Sequence, residues 1–263
     1  MQHQAGWRFA SRRDAGCALA RRVSARLWFD PAREDVLVLA ASPGGLVVAA
    51  PVAAGARAEL DVVAACPITT PDGFAHGIGA VTATGPAVLV RGSWDRKPLS
   101  AVAIDTAVTA ARQRARAREL DLRGYVPPLM IAGRTVIVVD DGLGIGINAL
   151  AVMRHVRRRR PARLLFAAPV CAKAFARALA ALADEVISVV SPSDMVMAGA
   201  FYARLAPVGD GEVRPLLSAR RPKVSSAVTR GRSGPDAGPP ADVPLQTQPR
   251  GPVPGKGGDP IRL

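Results

Sequence analysis

The sequence predicts an α/β fold, a parallel β-sheet flanked by helices, followed by a tail that lacks the means to build a core. Three observations lead there. Over residues 1–217, short runs of β-branched and other apolar residues alternate with stretches of helical period. One run, Val136-Ile137-Val138-Val139, is unbroken by any polar residue, as expected of a strand buried on both faces. From Ser218 to Leu263, nine prolines and many glycines leave almost no apolar periodicity, too little burial to offset the entropy of ordering the chain. The chain is therefore divided into a domain over 1–217 and a disordered basic tail over 218–263.

The elements follow in order. Ala15, Leu19, Val23 and Leu27 share one face of a predicted helix from Ser11 to Leu27, with arginines on the others. Val36 to Ala41 reads as the first strand, and Leu46 to Ala54 as a helix that Pro51 should kink or shorten. Leu60 to Ala65 reads as a second strand. Gly79 to Ala83 and Ala87 to Val90 form an expected hairpin around Thr84-Gly85-Pro86. A long helix is predicted over Ser100 to Leu120, basic at Arg112, Arg114, Arg116 and Arg118, and then a Gly/Pro loop over Leu122 to Pro128. After the apolar run, a helix over Asn148 to Arg159, a strand over Arg163 to Val170, a helix over Ala172 to Ala183 and a strand over Glu185 to Val190 continue the alternation. Such alternation implies right-handed crossovers and helices on both faces.

Function is concentrated where Val136 to Val139 ends. Asp140 and Asp141 stand there, followed by Gly142-Leu143-Gly144-Ile145-Gly146-Ile147-Asn148. Ligands of open α/β sheets bind beyond the carboxyl ends of the strands, and glycines let backbone N–H groups approach an anion at the start of the next helix. Paired carboxylates accept hydrogen bonds from vicinal hydroxyls, and a nest of amides takes a phosphate. The combination suits a sugar phosphate.

This stretch resembles the signature of the type I phosphoribosyltransferase family, in which a hydrophobic strand, two acidic residues and a small-residue loop grip phosphoribosyl pyrophosphate (PRPP). Other segments follow in the family's order: Arg12-Arg13-Asp14-Ala15-Gly16 as the opening helix, Ser42-Pro43-Gly44-Gly45 after the first strand, Leu60-Asp61-Val62-Val63, Gly77 to Val81, Ile131 to Thr135, and Gly199-Ala200-Phe201-Tyr202. Met195 to Tyr202 resembles the segment near the ribosyl acceptor; apolar packing over the core explains the same residues.

The resemblance implies transfer of ribose 5-phosphate from PRPP to a nitrogen nucleophile that the sequence leaves unidentified, with release of pyrophosphate. Asp140 and Asp141 would hold the ribose hydroxyls, Gly142 to Asn148 the 5-phosphate, and Ser42, Gly44 and Gly45 the pyrophosphate. Mg²⁺ would be bound mainly through PRPP oxygens, with no metal site of the protein's own. Arg123 and Tyr125, in the expected loop, are candidates for a flap that touches the ligand and excludes water; an ordinary connector is the alternative. A homodimer is compatible with the pattern.

Departures from the family are specific. Ile145 and Asn148 stand where it places phosphate-binding threonines, and a lost hydrogen bond to a charged group costs about 1.5–3 kcal/mol. Pro43 occupies the place of an arginine that faces pyrophosphate. Cys66-Pro67 replaces a basic pair, and Gly144 stands where purine-using members carry an acid. Catalysis of this kind depends on cations placed where the leaving group's charge develops. Reduced catalysis, with binding retained, is thus an open alternative.

Composition narrows the remaining classes. No apolar run approaches the roughly 18 residues of a membrane span, and Met1 to Arg13 lacks an apolar leader, so a cytoplasmic protein without membrane contact is expected. Cys17, Cys66 and Cys171 are too scattered for a metal site and read as small core residues, Cys66 being nearest the expected cleft. His3, His76 and His155 form no cluster. The formal net charge of +14, with Arg154, Arg157, Arg158, Arg159 and Arg160 at one helix end, supports a second reading: a non-catalytic regulator that senses PRPP or a nucleotide and binds nucleic acid. Against it, aromatics at 4% provide few stacking platforms.

Overall fold

The computed structural model describes residues 9–27, 35–70, 77–90, 99–142, 146–193 and 198–219. His3, His76, Leu143, Gly144, Ile145, part of the Met195 to Tyr202 segment and the expected tail from residue 220 onward lie outside them.

The elements in chain order are α1 (Arg12–Leu27), β1 (Val36–Ala40), α2 (Pro43–Ala56), β2 (Glu59–Val62), β3 (Ala65–Ile68), β4 (Gly79–Thr82), β5 (Val88–Leu89), α3 (Ala101–Arg123), β6 (Thr135–Val139), α4 (Ile147–Arg158), β7 (Arg163–Val170), α5 (Lys173–Leu179), β8 (Glu185–Val190), a 3₁₀ turn (Ala198–Phe201) and α6 (Asp210–Ser218). Five strands form a parallel sheet in the order β2-β1-β6-β7-β8. The expected α/β class is the observed one.

Side-chain alternation divides the core between the two faces of this sheet. Val38, Ile137, Val139, Leu165 and Ala167 pack with α1, α2 and α6; Leu37, Leu39, Val136, Val138, Leu164 and Phe166 pack with α4 and α5. Every residue of β6 is buried, because this central strand is covered on both faces.

Several boundaries differ from the sequence expectation. The segment expected as one strand over Leu60 to Ala65 is split. β2 joins the parallel sheet, whereas β3 pairs antiparallel with β4 in a separate three-stranded sheet, β3-β4-β5. At the break, the Ala64 N–H donates to the Glu119 carboxylate at 3.1 Å.

Helix α2 begins earlier than expected, because the Ser42 hydroxyl accepts the Gly45 N–H at 2.9 Å and caps it. It also continues through Pro51, since Leu46, Val48, Ala49, Val52 and Ala53 are buried and packing outweighs one missing backbone bond. Helix α3 runs to Arg123, past the expected end at Leu120, and places Ala107 and Ala111 against Ile68, Ile78 and Val81. Helix α5 is shorter than expected. Helix α6, hidden in the sequence by Gly211 and Pro215, buries Val213 and Leu217 on the α2 face of the core. Cys17 is exposed, contrary to the expectation of a core residue, while Cys66 is half-buried and Cys171 buried.

Candidate functional site

Strand β6 ends at the carboxyl edge of the sheet, flanked by β1 and β7, and delivers Asp140 and Asp141 there. The Asp140 N–H still donates to the Ala167 carbonyl of β7 at 3.1 Å, so its backbone is held in the sheet plane. Beside it, the Ser42 hydroxyl donates to Asp140 Oδ1 at 3.2 Å while capping α2. One residue thus couples the start of α2 to the end of β6. Burial, and then the neighbouring Asp141 carboxylate, push the Asp140 carboxyl up to about 7 against the opposing pull of the Ser42 hydroxyl and of the Asp141 and Gly142 N–H groups.

Asp141 has different surroundings. It is 5% exposed, and its Oδ2 accepts a 2.9 Å hydrogen bond from the half-buried Arg12 Nε, an ion pair buried at its Asp141 end. Arg12 opens α1, and its Nη1 donates to the Ala206 carbonyl at 2.7 Å. The Tyr202 hydroxyl donates to the Asp141 carbonyl at 2.7 Å, and burial raises the Tyr202 pKa beyond its ordinary value. Phe9 packs against the Tyr202 ring at a centroid distance of 5.6 Å and exchanges backbone hydrogen bonds with Phe201 and Ala203.

Gly44, in the first turn of α2, is required by this pair. A Cβ there would lie 2.1 Å from Asp141 Oδ2 and 2.9 Å from Arg12 Nε, so no other residue fits without displacing the pair. Gly45 lies against the Val139 carbonyl and Asp140.

The far side of the site begins at Gly142 and resumes at Gly146, both with positive φ, at +82° and +73°. Gly146 is the N-cap of α4, and the Phe175 ring lies where its Cβ would project. Ile147 is half-buried against the α4 face of the core, and Asn148 is exposed at the start of α4. The Cys171 thiol, buried just beyond β7, is pushed up to about 11 by burial and then by the charge of Asp140.

The structure therefore brings Asp140, Asp141, Ser42, Gly44 and Gly45 together and sets Gly142, Gly146, Ile147 and Asn148 along the adjoining turn and helix start. Arg123 is not brought to the carboxylates. It lies at the end of α3, with Nε 2.9 Å from Asp61 Oδ1, Nη1 3.4 Å from Glu119 and Nη2 donating to the Val62 carbonyl. Tyr125 follows it, fully exposed.

Sequence reasoning assigned Arg12 no site role and gave Tyr202 only a place in a segment resembling the one near the ribosyl acceptor, with packing over the core as the alternative. The pair between Arg12 and Asp141 spans 129 residues, and no local pattern signals it. Two arginines of the basic end of α4 are partnered, Arg157 with the Leu182 carbonyl and Asp184, and Arg159 with Thr84.

Among the described residues, no group of three or more His, Cys, Asp or Glu side chains has an arrangement able to hold a metal ion. Asp141 is already paired with a guanidinium, and Asp140 is pushed toward its neutral form. Such a donor set fits a divalent cation carried on a ligand's own oxygens and not a protein cage. No helix among the described residues is long and apolar enough to cross a membrane.

Comparison with known proteins places this chain in a family. The chain is 29% identical over 214 residues to a protein named "Putative phosphoribosyl transferase" in two strains of Mycobacterium tuberculosis. The match covers 80% of this chain and 46% of the relative, so the chain spans about half the length of the curated relatives it matches. The crystal structure of TT1426 from Thermus thermophilus is similar at 30% identity and a TM-score of 0.65, over 81% of this chain and 99% of that one. The chain belongs to the phosphoribosyltransferase family. No family model matches it. Membership accounts for the parallel α/β sheet flanked by helices.

Proposed function

We propose that the protein binds PRPP at the junction of β6, α2 and α4 and transfers its ribose 5-phosphate to a nitrogen nucleophile. The bond from ribose C1 to pyrophosphate breaks, pyrophosphate leaves with the electron pair, and the acceptor nitrogen forms the new bond to C1 and gives up a proton. The observation that carries this reading is the Asp140 carboxylate coupled through Ser42 to the first turn of α2. A ribose-hydroxyl acceptor thereby stands beside backbone donors suited to a pyrophosphate.

In this reading the acidic pair at the end of β6, Asp140 and Asp141, forms the wall of the site that faces the ribose. Ser42 and the turn at Gly44 and Gly45 meet the pyrophosphate, and the stretch from Gly142 to Asn148 meets the 5-phosphate at the start of α4. A carboxylate beside C1 also stabilises positive charge as it develops on the ribose ring. Mg²⁺, bound on PRPP, supplies positive charge to the departing pyrophosphate. With Pro43 in the first loop, the chain provides little of that charge there, and slow turnover is the expected consequence.

Calorimetric titration with PRPP and Mg²⁺ tests the reading. Saturable binding that an Asp140→Asn variant loses supports it, and pyrophosphate release with a panel of nitrogen bases then identifies the acceptor. No heat up to millimolar ligand overturns it.

A further inference from the structure

We infer that the two adjacent carboxylates have separate roles: Asp141 is a positioning residue clamped by Arg12, and Asp140 alone is presented to the sugar hydroxyls. The second half rests on the proposed PRPP reading, while the first stands on geometry alone.

Asp141 is held at its side chain and at its backbone. Arg12 Nε takes its Oδ2 at 2.9 Å, and the same guanidinium is fixed at its other end by the Ala206 carbonyl at 2.7 Å. Tyr202 takes its backbone carbonyl. Gly44 leaves open the space that the pair occupies. By strand alternation Asp141 follows Val139, whose side chain packs on the α1 and α2 face where Arg12 lies. Asp140, by contrast, is only half-buried, and among the described residues its side chain is held by neutral donors, the Ser42 hydroxyl, able to rotate and accept as well as donate, and the Asp141 and Gly142 N–H groups.

The clamp has an electrostatic consequence. PRPP is a polyanion, and two uncompensated carboxylates would repel it; Arg12 neutralises one and leaves a single acceptor for the ribose. The guanidinium also lies against the first turn of α2, one residue from Pro43, where the loop has no cation of its own. Besides Asp141 and Arg12, the ionisable groups bearing on Asp140 are Cys171 beyond β7 and Tyr202.

PRPP–Mg²⁺ titrations across pH, together with ligand-free thermal melts, test this on the wild type, Asp140→Asn, Asp141→Asn, Arg12→Gln and the Arg12→Gln/Asp141→Asn double variant. Asp140→Asn is expected to lose about tenfold or more in affinity. Arg12→Gln weakens binding and moves the pH midpoint of binding upward, because the Asp141 charge then acts on Asp140 uncompensated. Asp141→Asn moves the midpoint downward, and the double variant binds more tightly than Arg12→Gln alone.

Equal losses for Asp140→Asn and Asp141→Asn, with unmoved midpoints and no recovery in the double variant, overturn the division of roles. A wild-type protein that gives no heat overturns the PRPP reading instead. The melts then decide the clamp by themselves: non-additive losses for Arg12→Gln and Asp141→Asn support it, and additive losses overturn it.

Discussion

Two acid–arginine pairs stand at different places on the same parallel sheet. On the outer strand β2, Asp61 is almost fully buried and saturated with donors: Arg123 Nε at 2.9 Å, the Leu129 N–H at 2.8 Å and its own neighbour's N–H at Val62. It ties the end of α3 and the connection into β6 to the sheet. At the central strand, Arg12 neutralises Asp141 in a similar way, but next to it Asp140 keeps only a hydroxyl and two local N–H groups and is pushed toward its neutral form. A carboxylate balanced by a guanidinium is architecture, whereas one held by neutral donors and pushed toward its neutral form, in a partly open position, is where a ligand's hydroxyls fit. Arg123, a candidate for a ligand-touching flap or an ordinary connector, is held here by Asp61, Glu119 and the Val62 carbonyl.

Three perturbations sharpen or break this contrast. The largest effect is expected from Arg123→Ala, which leaves Asp61 buried without its guanidinium and should cost about 3–5 kcal/mol of stability in denaturant unfolding. If the Arg123 pair is purely architectural, the PRPP affinity of the molecules that remain folded is unchanged. A specific loss of affinity would return Arg123 to the site.

Gly44→Ala comes next. The added Cβ has to displace the Arg12–Asp141 pair, so unfolding measurements should show a loss of about 1–3 kcal/mol and the same titration a loss of binding. Wild-type stability in the alanine variant would mean that the pair moves aside readily and is no clamp.

Asp140→Asn has the smallest effect on stability, and its sign depends on pH. Because the folded-state pKa of Asp140 is raised, the native protein holds this proton more tightly than the unfolded chain does. The group therefore stabilises the fold below the ordinary carboxylate pKa, and that stability is lost as pH rises through about 7. Removing the ionisation should flatten that descent and leave the variant about 1 kcal/mol or more stabler than wild type above neutrality. Melts at pH 5 and pH 8 measure it; parallel shifts at both would show that Asp140 titrates normally.

His155 makes the opposite comparison. Buried against Thr82, it is held down to about 4 by burial and then by Arg159, so it remains a neutral packing group on α4 at ordinary pH.

Most of the frame could be read without coordinates. The apolar run of β6, the face of α1 defined by Ala15, Leu19, Val23 and Leu27, and the hairpin of β4 and β5 are local patterns, each decided within a few residues of chain. What escaped were the features set by competition with distant groups: the division of β2 from β3 at Ala64, where Glu119 takes the N–H; the survival of α2 through Pro51; and α6, whose Gly211 and Pro215 argue against a helix until Val213 and Leu217 find a core to enter. The site divides in the same way. Asp140, Asp141, Ser42 and the glycines are legible as a motif, but Arg12 is recognisable as a site residue only once α1 has packed across α2.

The sequence alone determined the α/β class and the place of the paired acids at the end of a strand buried on both faces. Both follow from residue type and spacing along a short stretch. Only the tertiary structure decided that the two acids are unlike, because charge compensation depends on distance in space. Arg12, 129 residues away in the chain, reaches Asp141 and leaves Asp140 to the serine.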